Sequence, residues 1–193
     1  MIRPLYDWTL AQASKPYALW MLAVISFIES SVFPIPPDIM LIPMIIAARH
    51  KAWLIAGVCT IASVAGGLAG YALGAMAYET IGLPVLEFYG KMDAFADFQR
   101  RFEEWGAWIV FGAGVTPFPY KVITIASGTV GLDLVVFTVA SVLARGFRFF
   151  LVATLLYYFG PVIRRFIEER LGLVFTVGFV MLIGGFVVAK YLL

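Results

Sequence analysis

Five ionisable side chains lie inside apolar stretches, where the hydrocarbon of a bilayer would surround them. They are Glu29, Asp38, Lys121, Arg145 and Arg148. A charge at the centre of a membrane helix costs about 2.5–3.5 kcal/mol on insertion scales, so each is expected to find a partner or water. Two readings follow from two acids and three bases. The charges could form ion pairs that pin the fold together, or the surplus positive charge could bind an anionic head group.

Arg145 and Arg148 are three residues apart and therefore share one helix face. Two guanidinium groups on one face can hold a phosphate through forked hydrogen bonds, and Lys121 could add a third positive charge. A carboxylate that lost its cationic partner here would favour the protonated form, so it could carry a proton during transport. Glu29 is the first candidate for that role and Asp38 the second. Ser30, Ser31 and Thr116 could add hydrogen bonds nearby.

Two Pro-x-Pro breaks interrupt the apolar runs beside these charges. Pro34 and Pro36 precede Asp38, and Pro117 and Pro119 stand in the same relation to Lys121. Each break ends a helix, because proline lacks the N–H donor and pushes the residue before it towards extended backbone. Non-helical backbone persists in a bilayer only where protein buries it or where it lines a watery cavity. Two breaks in matching positions indicate the central site of a transporter.

Composition indicates an integral membrane protein with one membrane domain, residues 1–193. The chain is 62% hydrophobic and 13% charged, whereas soluble domains carry about 25% charge. Cys59 is the single cysteine and His50 the single histidine, so no internal disulfide can form and most metal or histidine-based catalytic sites are excluded. We therefore expect no enzymatic activity, no cofactor and no metal. No basic stripe points to nucleic acid, and the first apolar run lacks the cleavage site of a signal peptide.

The apolar and polar runs predict an all-α fold of hairpins and spans. In chain order, they predict an interfacial segment (1–16), a re-entrant hairpin (17–49), a transmembrane helix (52–78), an amphipathic helix (79–105), a second re-entrant hairpin (107–131), a transmembrane helix (132–159), a polar linker (161–170) and a final transmembrane helix (171–193). Alternatives are a flexible tail at 1–16 and one long kinked span at 17–48. Gly66, Gly70 and Gly74 share a face that favours close helix packing.

The two hairpin-plus-helix units resemble each other in sequence. Thr60–Val64 is similar to Thr138–Val142, an alignment that places Gly67 opposite Arg145 and Gly70 opposite Arg148. One crossing between the units predicts an inverted repeat whose two hairpins meet near the membrane midplane. The distribution of basic residues among the loops predicts a cytoplasmic N-terminus and an external C-terminus. The glycine-rich faces would permit a homo-oligomer but do not require one.

An ordered set of motifs resembles the DedA/VTT-domain superfamily over roughly residues 20–160. The motifs are Glu29-x4-Pro34-x-Pro36, Gly67-x3-Tyr71-x2-Gly74, Phe102-x3-Gly106, Pro117-x-Pro119-x-Lys121, Gly128 and Arg145-x2-Arg148-Phe149. The Pro-Phe-Pro-Tyr-Lys form and the arginine pair are most similar to the YqaA-like branch. This sequence departs from the better-studied branch in two ways: it has Lys121 where that branch has an arginine, and it lacks an aspartate in the glycine-rich span.

The resemblance implies a lipid transporter of the bacterial inner membrane, a flippase or scramblase for undecaprenyl phosphate or a phospholipid. It also implies that Glu29, Arg145 and Arg148 match the family's functional acid and arginine pair. Proton coupling would make protons a second partner. Two other functions fit the same residues: a proton-coupled transporter of a small solute or ion using the same cavity, and a scaffold, held by ion pairs, that transports nothing.

Overall fold

The computed structural model describes residues 17–31, 36–88, 90, 92–116 and 119–169. Every regular element among these residues is helical. The helices are α1 (Ala18–Ser31), α2 (Asp38–Ala47), a 3₁₀ turn (Arg49–Lys51), α3 (Ala52–Ala77), a π-helical turn (Tyr78–Gly82), α4 (Leu83–Phe88), α5 (Met92–Val115), α6 (Tyr120–Val130) and α7 (Leu134–Glu169). The predicted interfacial segment at 1–16 and the predicted final span at 171–193 lie outside the described residues, as do Pro34 and Pro117.

Two helical stretches within the described residues are long and apolar enough to cross a membrane. They are Arg49–Gly82, of 34 residues, and Leu134–Gly160, of 27 residues. At about 1.5 Å per residue both exceed a hydrocarbon core about 30 Å thick. Their outer faces carry large exposed apolar side chains, including Ile61 and Phe147. Such surface is unfavourable in water and suited to lipid.

Helix α3 is the central element of the described bundle, and it packs against α1, α6 and α7. The glycine face predicted for close packing is observed on α3. A methyl group at Gly66 would collide with the Phe27 carbonyl of α1, and one at Gly74 would collide with the Ile125 carbonyl of α6. Small residues therefore bring both neighbouring backbones against α3, which larger side chains would prevent.

Two apolar cores occupy opposite ends of the bundle. The first joins α1, α2, the start of α3 and the later half of α7, with Leu22, Leu41 and Phe149 fully buried. The second joins α5, α6 and the first part of α7 around Tyr120 and Phe137. Each predicted hairpin region thus contributes to its own core, while α3 and α7 run between the two.

The region predicted as one amphipathic helix at 79–105 is divided differently in the structure. It comprises the π-helical turn, α4 and the first part of α5, and α5 continues without a break into the predicted arm of the second hairpin. Within α5, Gly106 packs directly against Leu132, where a larger side chain would clash. The charges of the region that the structure describes are exposed: Arg100 and Asp97 form a pair 3.0 Å apart in which each side chain is about two-thirds exposed.

The connection between α6 and α7 is short and well defined by hydrogen bonds. Gly131 takes a left-handed conformation with φ of 72° that ends α6, as glycine commonly does after a helix. Asp133 then accepts hydrogen bonds at 2.9 Å from the N–H groups of Val135 and Val136, which caps the start of α7. Helix α7 extends to Glu169, so the polar linker predicted at 161–170 is helical as far as residue 169.

Candidate functional site: two ion pairs between the apolar cores

Arg145 is the most deeply buried charge in the described part of the chain, with a side chain 1% exposed. Its Nη2 donates to Glu29 Oε2 at 2.8 Å, and its Nε donates to Ser63 Oγ at 2.6 Å. The guanidinium also lies against two aromatic rings, 4.8 Å from the centre of Tyr120 and 4.7 Å from that of Phe149. Hydrogen bonds, an opposite charge and two π faces together compensate the loss of hydration.

Serine hydroxyls extend this pair into a network that joins α1, α3 and α7. Ser30 donates to Glu29 Oε2 at 3.1 Å, and the hydroxyls of Ser30 and Ser63 lie 2.7 Å apart. Glu29 is held in this way from its own helix and from α7, and its side chain is 14% exposed. A buried carboxylate requires hydrogen-bond donors and an opposite charge of this kind, because an unpaired charge in a low-dielectric interior is costly.

Arg148 forms the second ion pair, one turn further along α7. Its Nη2 donates to Asp38 Oδ2 at 2.6 Å, and its Nη1 donates to the main-chain oxygen of Thr116 at 3.2 Å. Both members of the pair are 22% exposed. The pair therefore links the start of α2 to the end of α5, and it is more accessible than the Arg145–Glu29 pair.

The two ion pairs lie between the apolar cores and near the middle of the spans. Arg145 is eleven residues into α7 and Ser63 is eleven residues into α3, which places each about 16 Å from the start of its helix. That distance is about half of the hydrocarbon thickness. Ionisable residues at this depth are rare in membrane helices, which makes the two ion pairs a candidate functional site.

The other site residues predicted from the sequence are close in sequence to members of this network. Lys121 is half-buried in the first turn of α6, directly after Tyr120, and its main-chain oxygen accepts from Thr124. Pro36 is exposed and Pro119 half-buried, each just before a helix. The Ser31 hydroxyl donates to the carbonyls of Phe27 and Ile28 in its own helix. Thr116 contributes through its main chain, as described above.

Three contact residues are absent from the set of candidates proposed from sequence: Ser63, Tyr120 and Phe149. Ser63 and Ser141 occupy equivalent positions in the two matching pentads, and both hydroxyls are used at the centre of the bundle. Ser63 accepts from Arg145, while Ser141 accepts from the Tyr120 hydroxyl at 2.5 Å. The serine that is repeated in both pentads was the sequence feature that could have identified Ser63. Tyr120 and Phe149 stand in the motifs that carry the family resemblance, but no local pattern assigned either ring a contact with Arg145.

The fold and the site define a helical membrane protein with a charged centre. The described residues contain no cluster of three His, Cys, Asp or Glu side chains that could hold a metal ion.

Residues 35–158 match the VTT domain family, and the chain belongs to that family. It is similar to an uncharacterised protein of Haemophilus influenzae, with 38% identity over 151 residues that cover 78% of each chain. An uncharacterised protein of Histophilus somni is 35% identical over the same length, again covering 78% of each chain. No solved structure matches the chain.

Proposed function

We propose that this protein is a membrane transporter that translocates a lipid with an anionic head group, such as undecaprenyl phosphate or an acidic phospholipid. Membership of the VTT domain family suggests a membrane transporter-like role. The observation that carries the more specific proposal is the difference between the two ion pairs. One arginine is locked and buried, whereas the other is partly exposed beside it on the same helix face.

The two arginines are proposed to have different tasks. Arg145 has a buried counter-charge, a serine acceptor and two ring contacts, so it acts as a fixed anchor of the site. Arg148 has one carboxylate and one main-chain acceptor and keeps access to the surface. A guanidinium has five donors, so a phosphate can bind Arg148 in a forked geometry by displacing Asp38. The head group therefore exchanges with Asp38 at Arg148.

Release of Asp38 supplies a means of proton coupling. A carboxylate that leaves its guanidinium partner within a bilayer needs another partner, and a proton can serve as that partner. The contacts favour Asp38 for this role, since Glu29 is also held by Ser30 and by the buried Arg145. From the sequence alone, Glu29 is the first candidate for this role and Asp38 the second.

The proposed architecture is an inverted repeat of two re-entrant hairpins in a bacterial inner membrane, with a cytoplasmic N-terminus. Two observations support the inverted repeat, while the membrane and the orientation follow from the sequence alone. Each predicted hairpin region packs into its own apolar core. The equivalent residues Ser63 and Ser141 both bond to groups from these regions.

The test is translocation of an acyl-labelled fluorescent phosphatidic acid in proteoliposomes, with the matching phosphatidylcholine as the neutral probe. A second series uses an isoprenyl phosphate, with and without a pH gradient. We expect Arg148→Gln to slow the translocation of phosphatidic acid at least tenfold. Arg100→Gln is the matched control, because it removes an arginine from an exposed ion pair outside the site. If the translocation rate of the wild type depends on the pH gradient, we expect Asp38→Asn to remove that dependence.

The double variant Asp38→Asn/Arg148→Gln separates transport from a structural role. It removes both charges together, so no unpaired charge remains and the fold should be retained. A stable, monodisperse double variant that does not translocate lipid supports the head-group role of Arg148. If wild type moves neither lipid, or if the double variant transports as well as wild type, the proposal fails. A scaffold held by ion pairs, which the two formed pairs also favour, would then take precedence.

A further inference from the structure

Helix α7 contains a proline that leaves one main-chain oxygen without its helical donor. In an α-helix each carbonyl accepts a hydrogen bond from the N–H four residues later. Pro161 has no N–H, so the Tyr157 carbonyl has no such donor, although α7 continues from Leu134 to Glu169. A polar main-chain group in a membrane protein then needs a partner from elsewhere in the protein or from water.

Arg49 supplies the missing donor from outside the helix. Its Nη2 donates to the main-chain oxygen of Tyr157. The guanidinium carbon lies 5.9 Å from the centre of the Tyr157 ring, and a methyl group at Gly160 would be 3.5 Å from Arg49 Nε. The guanidinium therefore lies along the surface of α7 immediately before Pro161. Because Arg49 begins the 3₁₀ turn that follows α2, this hydrogen bond ties the end of α2 to α7.

Helix α2 is thus joined to α7 at both of its ends. Asp38, its first residue, pairs with Arg148, whereas Arg49 bonds to α7 nine residues further along. Nine residues of α7 span about 13.5 Å, and the ten residues of α2 span about 15 Å. The two helices therefore run side by side in the same direction. We call the Asp38–Arg148 pair the first joint and the Arg49–Tyr157 hydrogen bond the second joint.

Apolar side chains fill the interface between the two joints. Helix α2 packs chiefly against α7, and Leu41 and Ile45 are buried in the first core together with Ala153 and Leu156. Met40, near the first joint, is 2% exposed, and Ile45, near the second joint, is 0% exposed. Both side chains are shielded only while α2 stays against its neighbours, so they can report which end of α2 has moved.

The two joints differ in how readily they exchange partners. Each member of the first joint is 22% exposed, so an anion or water can replace one of the two side chains. The second joint satisfies a main-chain oxygen that Pro161 deprives of its helical donor. Breaking it leaves that oxygen without a donor in the helix, which costs more than exchanging one partner for another. The second joint should therefore persist when the first joint opens.

We propose that Arg49 is a positioning residue that holds the end of α2 on α7, so that α2 opens as a gate at its Asp38 end and pivots at Arg49. The part that concerns Arg49 and Pro161 rests on geometry alone. The part in which an anionic head group opens the gate rests on the proposed function. In this arrangement Arg148 becomes accessible while the end of α2 stays fixed, so a head group enters without separation of the whole helix.

The first experiment measures whether Arg49 compensates for Pro161. Equilibrium unfolding in mixed micelles is compared for wild type, Arg49→Met, Pro161→Ala and the double variant. Lys51→Met is the matched control, because Lys51 is an exposed cation of the same turn. Arg49→Met should shift the unfolding equilibrium at least about tenfold, since a carbonyl loses its donor. In the Pro161→Ala background, which restores the N–H, the same change should shift it less than about threefold, as should Lys51→Met in wild type.

The second experiment follows the two ends of α2 by cysteine labelling. Cys59, the single cysteine, is replaced by serine, and either Met40→Cys or Ile45→Cys is added as the reporter. The rate of labelling by N-ethylmaleimide is measured with the full chain in phosphatidylcholine vesicles. The first joint is removed by Asp38→Asn/Arg148→Gln, or it is left intact and phosphatidic acid is added to the vesicles.

The gate predicts a difference between the two reporters. With the first joint removed, and also with phosphatidic acid, the labelling rate of Met40→Cys should rise at least about fivefold, because local opening exposes buried groups. The labelling rate of Ile45→Cys should stay unchanged. When Arg49→Met is added to either condition, the labelling rate of Ile45→Cys should rise as well.

The outcomes separate the gate from the proposed function. Equal effects of Arg49→Met in wild type and in the Pro161→Ala background overturn the role of Arg49. If removal of the first joint exposes both reporters equally, or neither, the pivot is overturned, whatever the translocation assay shows. If removal of the first joint gives the expected difference and phosphatidic acid does not, the gate is supported and the proposed function fails for phosphatidic acid.

Discussion

The Arg145–Glu29 pair should be the more costly of the two central ion pairs to break. Replacing Glu29 by glutamine keeps the length of the side chain and an oxygen acceptor for Arg145 Nη2, but it removes the negative charge. Arg145 is 1% exposed, so its own charge cannot be compensated by water. The perturbation therefore isolates the electrostatic contribution of Glu29.

The expected loss of stability follows from the burial of the pair. Removing one partner of a buried ion pair costs about 3–5 kcal/mol. Because glutamine keeps an acceptor, we expect the lower end, about 3 kcal/mol, which changes the unfolding equilibrium about a hundredfold. Asp38→Asn acts on a pair that is 22% exposed, so it should cost about 1–2 kcal/mol, between the values for exposed and buried pairs.

Equilibrium unfolding in mixed detergent micelles measures these differences. Wild type, Glu29→Gln, Asp38→Asn and Glu29→Gln/Arg145→Gln are compared under one set of conditions. The double variant should recover part of the loss, because it no longer buries an uncompensated charge. Asp97→Asn serves as the control, since its pair with Arg100 is exposed and should contribute less than about 1 kcal/mol.

Two results would refute this reasoning. If Glu29→Gln unfolds at the same detergent composition as wild type, the buried guanidinium does not depend on Glu29 for compensation. If Asp38→Asn is more destabilising than Glu29→Gln, the burial of an ion pair does not determine how much stability is lost when the pair is broken. Either result would also remove the basis for assigning the anchoring role to Arg145 and the exchangeable role to Arg148.

Three further variants test the packing and hydrogen bonding around the site by the same unfolding measurement. Gly128→Ala would force a methyl group into the backbone of α3 and should cost about 1–3 kcal/mol, whereas Gly57→Ala, which meets no atom within 4 Å, should cost nothing. Tyr120→Phe loses the hydrogen bond to Ser141 but keeps its ring against the guanidinium, so about 1 kcal/mol is expected; a loss above 3 kcal/mol would contradict this. Asp133→Ala removes the cap of α7 and should cost about 1 kcal/mol, while Asp133→Ser should restore most of it.

Local sequence patterns were sufficient to predict that the fold is helical and that a glycine face allows its helices to pack closely. Apolar composition and the length of the runs predict helices able to span a membrane, since backbone polar groups must be satisfied internally there. The four-residue spacing of Gly66, Gly70 and Gly74 predicts a face for close approach, and α1 and α6 do contact that face. These features depend only on helical periodicity and side-chain size.

Helix boundaries in the polar region were less predictable. Residues 79–105 have a mixed charge pattern that does not itself show where helices end. Helix α5 passes through Gly106, which packs against Leu132, 26 positions later. Helix α7 likewise continues past the apolar stretch to Glu169. The local preferences of residues at such positions are modest, so they do not specify where a helix ends.

Composition and helical periodicity predict that two acids and three bases lie in apolar surroundings, and that Arg145 and Arg148 share a helix face. They do not predict which acid meets which arginine. The partners are 116 and 110 residues apart along the chain, so their pairing depends on how α1 and α2 pack beside α7. The same packing buries Arg145 between two aromatic rings and leaves Arg148 near the surface. Helical periodicity specifies the direction of a side chain, whereas burial depends on the neighbours that the fold places around it.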